Sequence, residues 1–419
     1  SFPPLLVPGW EVPVSDEGTP WRVFAAEAQA RFAAAGIASP EVSVRRIVER
    51  AAGFEGSEYG LGLGEPATER AMGFFDQMVE RHLTGEPLQY VVGEWSFRTL
   101  DLMVDRRALI PRPETEQVVE AALAELDRLA PASPRVLDLG TGSGAIALSV
   151  AVERPAARVW AVDASADALA VARANLAGIG HAGSRVTLLE GSWFDALPRE
   201  QRDTFDLIVS NPPWVPTPDR EVELFRGGGL DGESITRQLF EGAGRRLAPG
   251  GRMAIYVEYP HLSGQTYPER VRGWLGQGDW GIAVVNLLHL SAEEYVAGQV
   301  ASHTGQDIDH EFERWMVGYE AAGIKAMSRA VVYVVPGQRF EATLEADHPT
   351  EPQDWVGPWL EGLGRPGNRL HSKAQLWTSG ERARVEWPGT CLHPLELDPA
   401  QQAAVAGESS ELRARMVLE

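Results

Sequence analysis

Cysteine is almost absent from this chain: Cys391 is the only one in 419 residues. No internal disulfide can form, and a reducing cytoplasm is the expected setting. Long hydrophobic runs are missing as well. No stretch of about 18 apolar residues occurs, so no membrane-spanning helix is expected. The opening segment SFPPLLVPGWEVPV lacks a basic n-region and a long apolar core, and does not read as a signal peptide. It also lacks an initiator Met, which reads as a trimmed start. Positive charge is in short supply, with 38 Lys and Arg against 59 Asp and Glu and a formal net charge of −21. Such a field repels a phosphate backbone, and no run of basic residues offsets it. Nucleic acid is therefore a disfavoured partner, and the acidic balance serves solubility equally well.

The length suggests two or three domains with a sizeable core. Residues 1–89 read as a helical domain. The Ala-rich stretch from Phe24 stops at Gly36, a C-cap signal, and Val42 to Ala52 and Ala67 to Leu83 are amphipathic. Residues 90–110 alternate apolar and polar positions around Arg98-Thr99, the pattern of a β-hairpin linker. Pro and acidic residues then open a helix from Thr115 to Leu129. From 135 onward strand and helix alternate. Strand candidates begin at Arg135, Val159, Val186, Phe205 and Met253, followed by Ile282–Leu288 and Ala330–Val335. Helices are expected at Ala145–Val152, Ala166–Leu176, Ile235–Leu247 and Pro268–Leu275. This rhythm indicates the α/β class, with a doubly wound, seven-stranded Rossmann-like sheet over residues 111–336. A helical insertion at 291–325 interrupts it. The tail 337–419 reads as a small C-terminal extension with short β-like pieces and one closing helix.

Three segments carry chemistry. Asp138-Leu-Gly140-Thr141-Gly142-Ser-Gly144 lies between a strand and a helix. Its glycines permit positive φ and close approach of a ligand to the backbone, and a helix N-terminus follows. The G-x-G-x-G spacing differs from the dinucleotide fingerprint. It fits a cofactor with an amino-acid moiety, whose ammonium Asp138 can approach. Asp163 ends the second strand, where an acidic group can accept both hydroxyls of a ribose. That logic serves NAD and S-adenosylmethionine alike, and Asp163 or Ser165 can instead cap the next helix. The third segment, Asn211-Pro212-Pro213-Trp214, follows the fourth strand and should face the same crevice. Its prolines remove two N–H donors. The Asn211 side chain and the Pro212 carbonyl are then acceptors for a planar NH2 group, on which Trp214 can stack. Holding a poorly nucleophilic amide nitrogen in line with a methyl donor is catalysis by position and dipole placement. The cluster His303, Asp307, Asp309, His310 and Glu311 has no strong metal-ligand spacing and reads as a solvated helix start, so no metal is expected.

Four ordered motifs carry a family resemblance: Pro87-Leu-Gln-Tyr-Val-Val-Gly-Glu-Trp-Ser-Phe97, Leu109-Ile-Pro-Arg-Pro-Glu-Thr-Glu116, Val136-Leu-Asp-Leu-Gly-Thr-Gly-Ser-Gly144 and Ser210-Asn-Pro-Pro-Trp214. Over roughly residues 20 to 232 the chain resembles the HemK-type protein-(glutamine-N5) methyltransferases, which methylate the glutamine of the GGQ motif in peptide chain release factors. The resemblance implies an S-adenosylmethionine-dependent methyltransferase and a protein substrate. It implies that the glycine loop and Asp163 hold the cofactor, with Ser192 and Trp193 beside the adenine. It also implies that Asn211 and Pro212 hold the substrate amide, with Arg112, Pro113, Glu114 and Pro213 lining the site. The chain departs from the family where Trp214 replaces Tyr, Ser192 replaces Asp and Glu258-Tyr-Pro follows the fifth strand. The alternatives are a small-molecule or peptide acceptor in a tailoring pathway, the exocyclic amine of adenine, and a cofactor-binding module without catalysis.

Overall fold

A computed structural model describes residues 18–198, 205–213, 232–301 and 307–346, and beyond these only the backbone of three short strands. The chain divides into two compact units, Ser1–Trp95 with Met103–Arg106, and Ser96–Leu102 with Arg107–Glu419.

The first unit is helical: α1 (Trp21–Ala34), α2 (Pro40–Ala52), α3 (Glu58–Gly62), α4 (Glu69–Leu83) and α5 (Leu88–Val92). Local chemistry sets their ends. Pro40 sits in the first turn of α2, Gly53 ends it at φ +75°, and the Thr68 hydroxyl accepts the Ala71 N–H to start α4. Phe32, Ile47, Val48 and Val79 fill the core, and Trp21 meets Phe24, Phe54 and Phe75 edge-on.

A hairpin of β1 (Glu94–Phe97) and β2 (Leu100–Met103) turns at Arg98, whose φ is +51°. Next come α6 (Pro113–Leu129), β3 (Arg135–Leu139), α7 (Ala145–Glu153), β4 (Arg158–Asp163), α8 (Ala166–Gly178), β5 (Val186–Glu190) and β6 (Phe205–Ser210). Then follow α9 (Ser234–Ala243), β7 (Leu247–His261), α10 (Tyr267–Leu275), β8 (Trp280–Ser291), α11 (Ala292–Val300), α12 (Ile308–Ala322), β9 (Ala326–Pro336) and β10 (Phe340–Ala346). Three strands complete the series, β11 (Gln375–Ser379), β12 (Arg382–Glu386) and β13 (Leu412–Arg415).

The main sheet has nine strands in the order β13-β10-β8-β9-β7-β6-β3-β4-β5. The seven strands expected from the sequence are its contiguous run from β8 to β5. Only β9 among those seven is antiparallel to its neighbours. The sheet continues past them, because β10 pairs parallel with β8 and β13 pairs antiparallel with β10. The helix expected from Ile235 to Leu247 stops at Ala243. There the chain turns so that the Arg246 carbonyl accepts from the Phe205 N–H, and Leu247 enters β7 opposite Phe205. Most of the tail, including the expected closing helix, lies outside the described residues.

Alternation along the strands divides the core between the two faces. Val136, Leu207, Val209, Ala254 and Tyr256 pack with Val118, Val119 and Leu126 of α6 and Ile146 and Val150 of α7. Leu137, Leu139, Ile208, Met253 and Ile255 pack with Leu239 and Phe240 of α9 and Val271 of α10. Because β3, β4, β5, β6, β7 and β8 run parallel, the loops leaving them share one edge. The antiparallel β9 begins at that edge, so α11 and α12, which join β8 to β9, stand there too.

Arg98 pins the hairpin turn to the helical layer. Its backbone N–H donates to Glu116 (2.9 Å), Nε and Nη2 donate to both carboxylate oxygens of Glu153 (2.7 Å each), and Nη1 lies 3.0 Å from Glu120. These carboxylates raise the guanidinium pKa above its ordinary value, Glu153 foremost. Arg98→Met is expected to lower stability by about 2 kcal/mol, the scale of hydrogen bonds to charged groups. The denaturant midpoint measures it, and an unchanged midpoint refutes the assignment.

Candidate active site

Asp138 is the penultimate residue of β3 and fully buried. Its Oδ2 accepts from the Thr141 hydroxyl (2.6 Å) and from the Ala147 N–H in the first turn of α7 (3.2 Å). Its Oδ1 is buried and has no hydrogen-bond partner among the described residues. Burial pushes the carboxyl pKa up from 3.8 to about 7; the hydrogen bonds from Thr141 and Ala147 oppose the rise and the Asp163 charge adds to it.

The loop that follows is stitched to β4. The Gly140 and Thr141 N–H groups both donate to the Val162 carbonyl (2.8 and 2.9 Å), and the Gly142 N–H donates to Asp163 Oδ2 (2.8 Å). Gly140, Gly142 and Gly144 all take positive φ, at 74°, 56° and 88°. A side chain is strained at each of them. A Cβ on Gly142 would project into open space, so the loop leaves a clear approach to its backbone. Asp163 Oδ1 accepts the Ser165 N–H (2.9 Å), while the Ser165 hydroxyl accepts from Ala168 and caps α8. Capping of that helix therefore falls to Ser165, and Asp163 braces the glycine loop. The Gly191 N–H donates to the Asp163 carbonyl (3.0 Å) and leads into Ser192 and Trp193. Trp193 takes φ +46°, rare for a bulky residue. Its indole lies over Gly140, where a Cβ would stand 3.6 Å from the ring.

β6 carries the second half of the site. Ser210 faces Leu139 across the β3–β6 pair, and its hydroxyl donates to the Leu139 carbonyl at 2.6 Å. Asn211 follows at once. Its Nδ2 donates to the Thr115 hydroxyl at 2.8 Å, and its Oδ1 is buried without a partner among the described residues. Pro212 is buried and Pro213 half-buried. Trp214 lies outside the described residues, as does His303.

The sheet edge thus brings Asp138, Gly140, Thr141, Gly142, Gly144, Asp163, Ser192 and Trp193 together at the ends of β3, β4 and β5, with Asn211 on the adjoining β6. Arg112 and Pro113 begin α6 with exposed side chains, and no hydrogen bond links either side chain to Asn211. Glu114 reaches Arg329 of β9 (3.8 Å), and Arg329 Nε lies 2.7 Å from the buried Glu258. The Tyr295 hydroxyl of α11 donates to the other oxygen of Glu258. Asp307 caps α12 by accepting the His310 N–H.

Sequence reasoning missed four participants. Thr115 and Asn175, whose Nδ2 donates to the Ser143 carbonyl (2.9 Å), read as ordinary helix residues. Tyr295 and Arg329 carried no motif. The one usable signal was a polar residue at an apolar helix position, and it does not say what it binds.

Residues 120–274 match the Methyltransferase small domain, and residues 25–93 match the PrmC N-terminal domain. The chain is 37% identical over 257 residues to the release factor glutamine methyltransferase of Deinococcus radiodurans, covering 59% of this chain and 89% of that one. It is 40% identical over 255 residues to the same enzyme of Xylella fastidiosa strain Temecula1, covering 58% and 80%. The chain belongs to the release factor glutamine methyltransferase family. It is a methyltransferase of that family, with S-adenosylmethionine as methyl donor.

Between about pH 4 and 7 the folded Asp138 holds a proton that the unfolded chain has released, so its contribution to stability falls as pH rises through that interval. Asp138→Asn removes this titration. The stability of the ligand-free variant relative to wild type is expected to grow between about pH 5 and pH 8. Denaturant midpoints at the two pH values measure it; a constant difference refutes it.

Proposed function

We propose that this protein transfers the methyl group of S-adenosylmethionine to the side-chain amide nitrogen of a glutamine in a peptide chain release factor. The observation that carries the reading is Asn211 Oδ1, a buried acceptor without a partner among the described residues, at the end of β6, one strand away from the glycine loop.

The residues present fit the donor. S-adenosylmethionine supplies an electrophilic methyl on a sulfonium and presents an ammonium, a ribose and an adenine. Asp138 Oδ1, a buried carboxyl oxygen without a partner among the described residues, suits the ammonium, and binding there favours the ionised carboxyl. The open approach over Gly142 admits the cofactor to the loop backbone. Each Asp163 oxygen already accepts one backbone N–H and keeps a lone pair for a ribose hydroxyl. The Trp193 indole over Gly140 offers a flat wall beside Ser192 for the adenine.

On the acceptor side, a primary amide nitrogen shares its lone pair with its carbonyl and is a poor nucleophile. Asn211 Oδ1 and the Pro212 carbonyl accept its two N–H groups and hold the nitrogen towards the methyl. Acceptors at the N–H protons favour charge that develops on nitrogen as its bond to carbon forms. Pro212 and Pro213 contribute no N–H that would compete for these acceptors. Arg112, Pro113, Glu114 and Pro213 line the approach of the substrate loop.

Labelled S-adenosylmethionine incubated with a release factor is expected to label it, and a factor whose GGQ glutamine is replaced is expected to stay unlabelled. Label in neither, with cofactor binding intact, overturns the reading. Asn211→Ala is expected to keep cofactor affinity and to lose about 10²-fold or more in kcat, the scale for removing one preorganised partner of the transition state. Calorimetry and steady-state kinetics check both halves, and retained turnover removes the role given to Asn211.

A further inference from the structure

The Asn211 amide has two chemically opposite ends of nearly equal shape, and its terminal torsion is soft and roughly two-fold. Only the oxygen can receive the N–H groups of a substrate amide; an NH2 turned the same way would oppose them donor to donor. The amide must therefore be held with its nitrogen turned away from the crevice and its plane fixed.

Thr115 stands where that is done. It is buried in the first turn of α6, 6% exposed, and its hydroxyl accepts from Asn211 Nδ2 at 2.8 Å across 96 residues of chain. Away from water such a bond is stronger than at the surface, and nothing there replaces it cheaply. In this arrangement the nitrogen is turned to α6, and Oδ1 has no hydrogen-bond partner among the described residues. Both partners are anchored. Asn211 is fixed by the strand end, where Ser210 donates to Leu139. The first turn of α6 is tied through Glu114 to Arg329, and through Arg329 to Glu258, which also takes the Tyr295 hydroxyl. Helix α11, between β8 and β9, is thus joined by contacts to the turn that holds the Asn211 amide.

We infer that Thr115 is a positioning residue for the methyl transfer, its hydroxyl accepting from Nδ2 and holding the Asn211 amide in the orientation that leaves the oxygen to the substrate. The inference rests on the proposed role of Asn211. A hydroxyl is required, and the rest of the side chain is packing.

Thr115→Val keeps the shape and removes the hydroxyl, Thr115→Ser keeps the hydroxyl, and Thr115→Ala removes it without adding bulk. The three are compared with wild type for S-adenosylmethionine affinity by calorimetry and for methyl transfer to a release factor in steady state. Cofactor Kd is expected to stay within about twofold in all three, which also reports that the sheet edge is folded. For Val and Ala, kcat is expected to fall about tenfold or more, the scale of one buried hydrogen bond, with KM for the release factor little changed. Ser is expected to recover kcat to within about threefold. Wild-type kcat in the Val and Ala variants overturns the inference, and so does a Ser variant as impaired as Val. If Val alone fails to bind cofactor, the Ala and Ser pair decides by the same criteria. No transfer by wild type removes the functional reading and the inference with it.

Discussion

Leu139 and Ser210 stand opposite each other where β3 pairs with β6, and the Ser210 hydroxyl donates to the Leu139 carbonyl. The residue after Leu139 opens the glycine loop, and the residue after Ser210 is Asn211. One parallel register therefore sets the glycine loop and Asn211 side by side, although they lie far apart along the chain. A slip of one residue would turn Asp138 and Asn211 to the wrong faces of the sheet. The hydrophobic alternation that divides Val136 from Leu137 and Val209 from Ser210 is what prevents it. The packing of the core and the geometry of the site are one constraint.

Around that register the protein buries ionisable groups and meets the cost in different ways. Asp138 receives two hydrogen bonds at one oxygen and, among the described residues, none at the other, and burial raises its pKa to about 7. A carboxyl so held is poised to respond to a cationic ligand. Glu258 is satisfied within the protein, between Arg329 and Tyr295. It links strands and inserted helices into one frame at the end of the sheet. Burial thus leaves one carboxylate with an oxygen that has no hydrogen-bond partner among the described residues and uses the other as a structural tie.

Much of this was legible along the chain. The strands from Arg135, Val159, Val186, Phe205 and Met253 declared themselves because a parallel sheet covered on both faces demands short apolar runs. The glycine loop was legible because positive φ at three alternate positions leaves few other residue types. Asn211-Pro-Pro was legible because two missing N–H groups beside an amide have an obvious chemical use. Other features left no trace. The addition of β10 and β13 to the sheet depends on which edge accepts a strand, and β10 alternates like any other. The early end of α9 at Ala243 depends on the Arg246 carbonyl being needed by Phe205. Thr115 reads as an ordinary helix-start residue until Asn211 is brought to it.

By itself the sequence determined the fold class, the family and the chemical types at the site, because periodicity, glycine conformation and proline chemistry are local properties of the chain. Only the tertiary structure decided what each group is aimed at. It turned Asp163 into a brace for the glycine loop and gave the capping of α8 to Ser165. It joined Glu258 to Tyr295 and to Arg329, and it set Thr115 against Asn211. The physical reason is that a hydrogen bond acts over about 3 Å in space and is indifferent to separation along the chain.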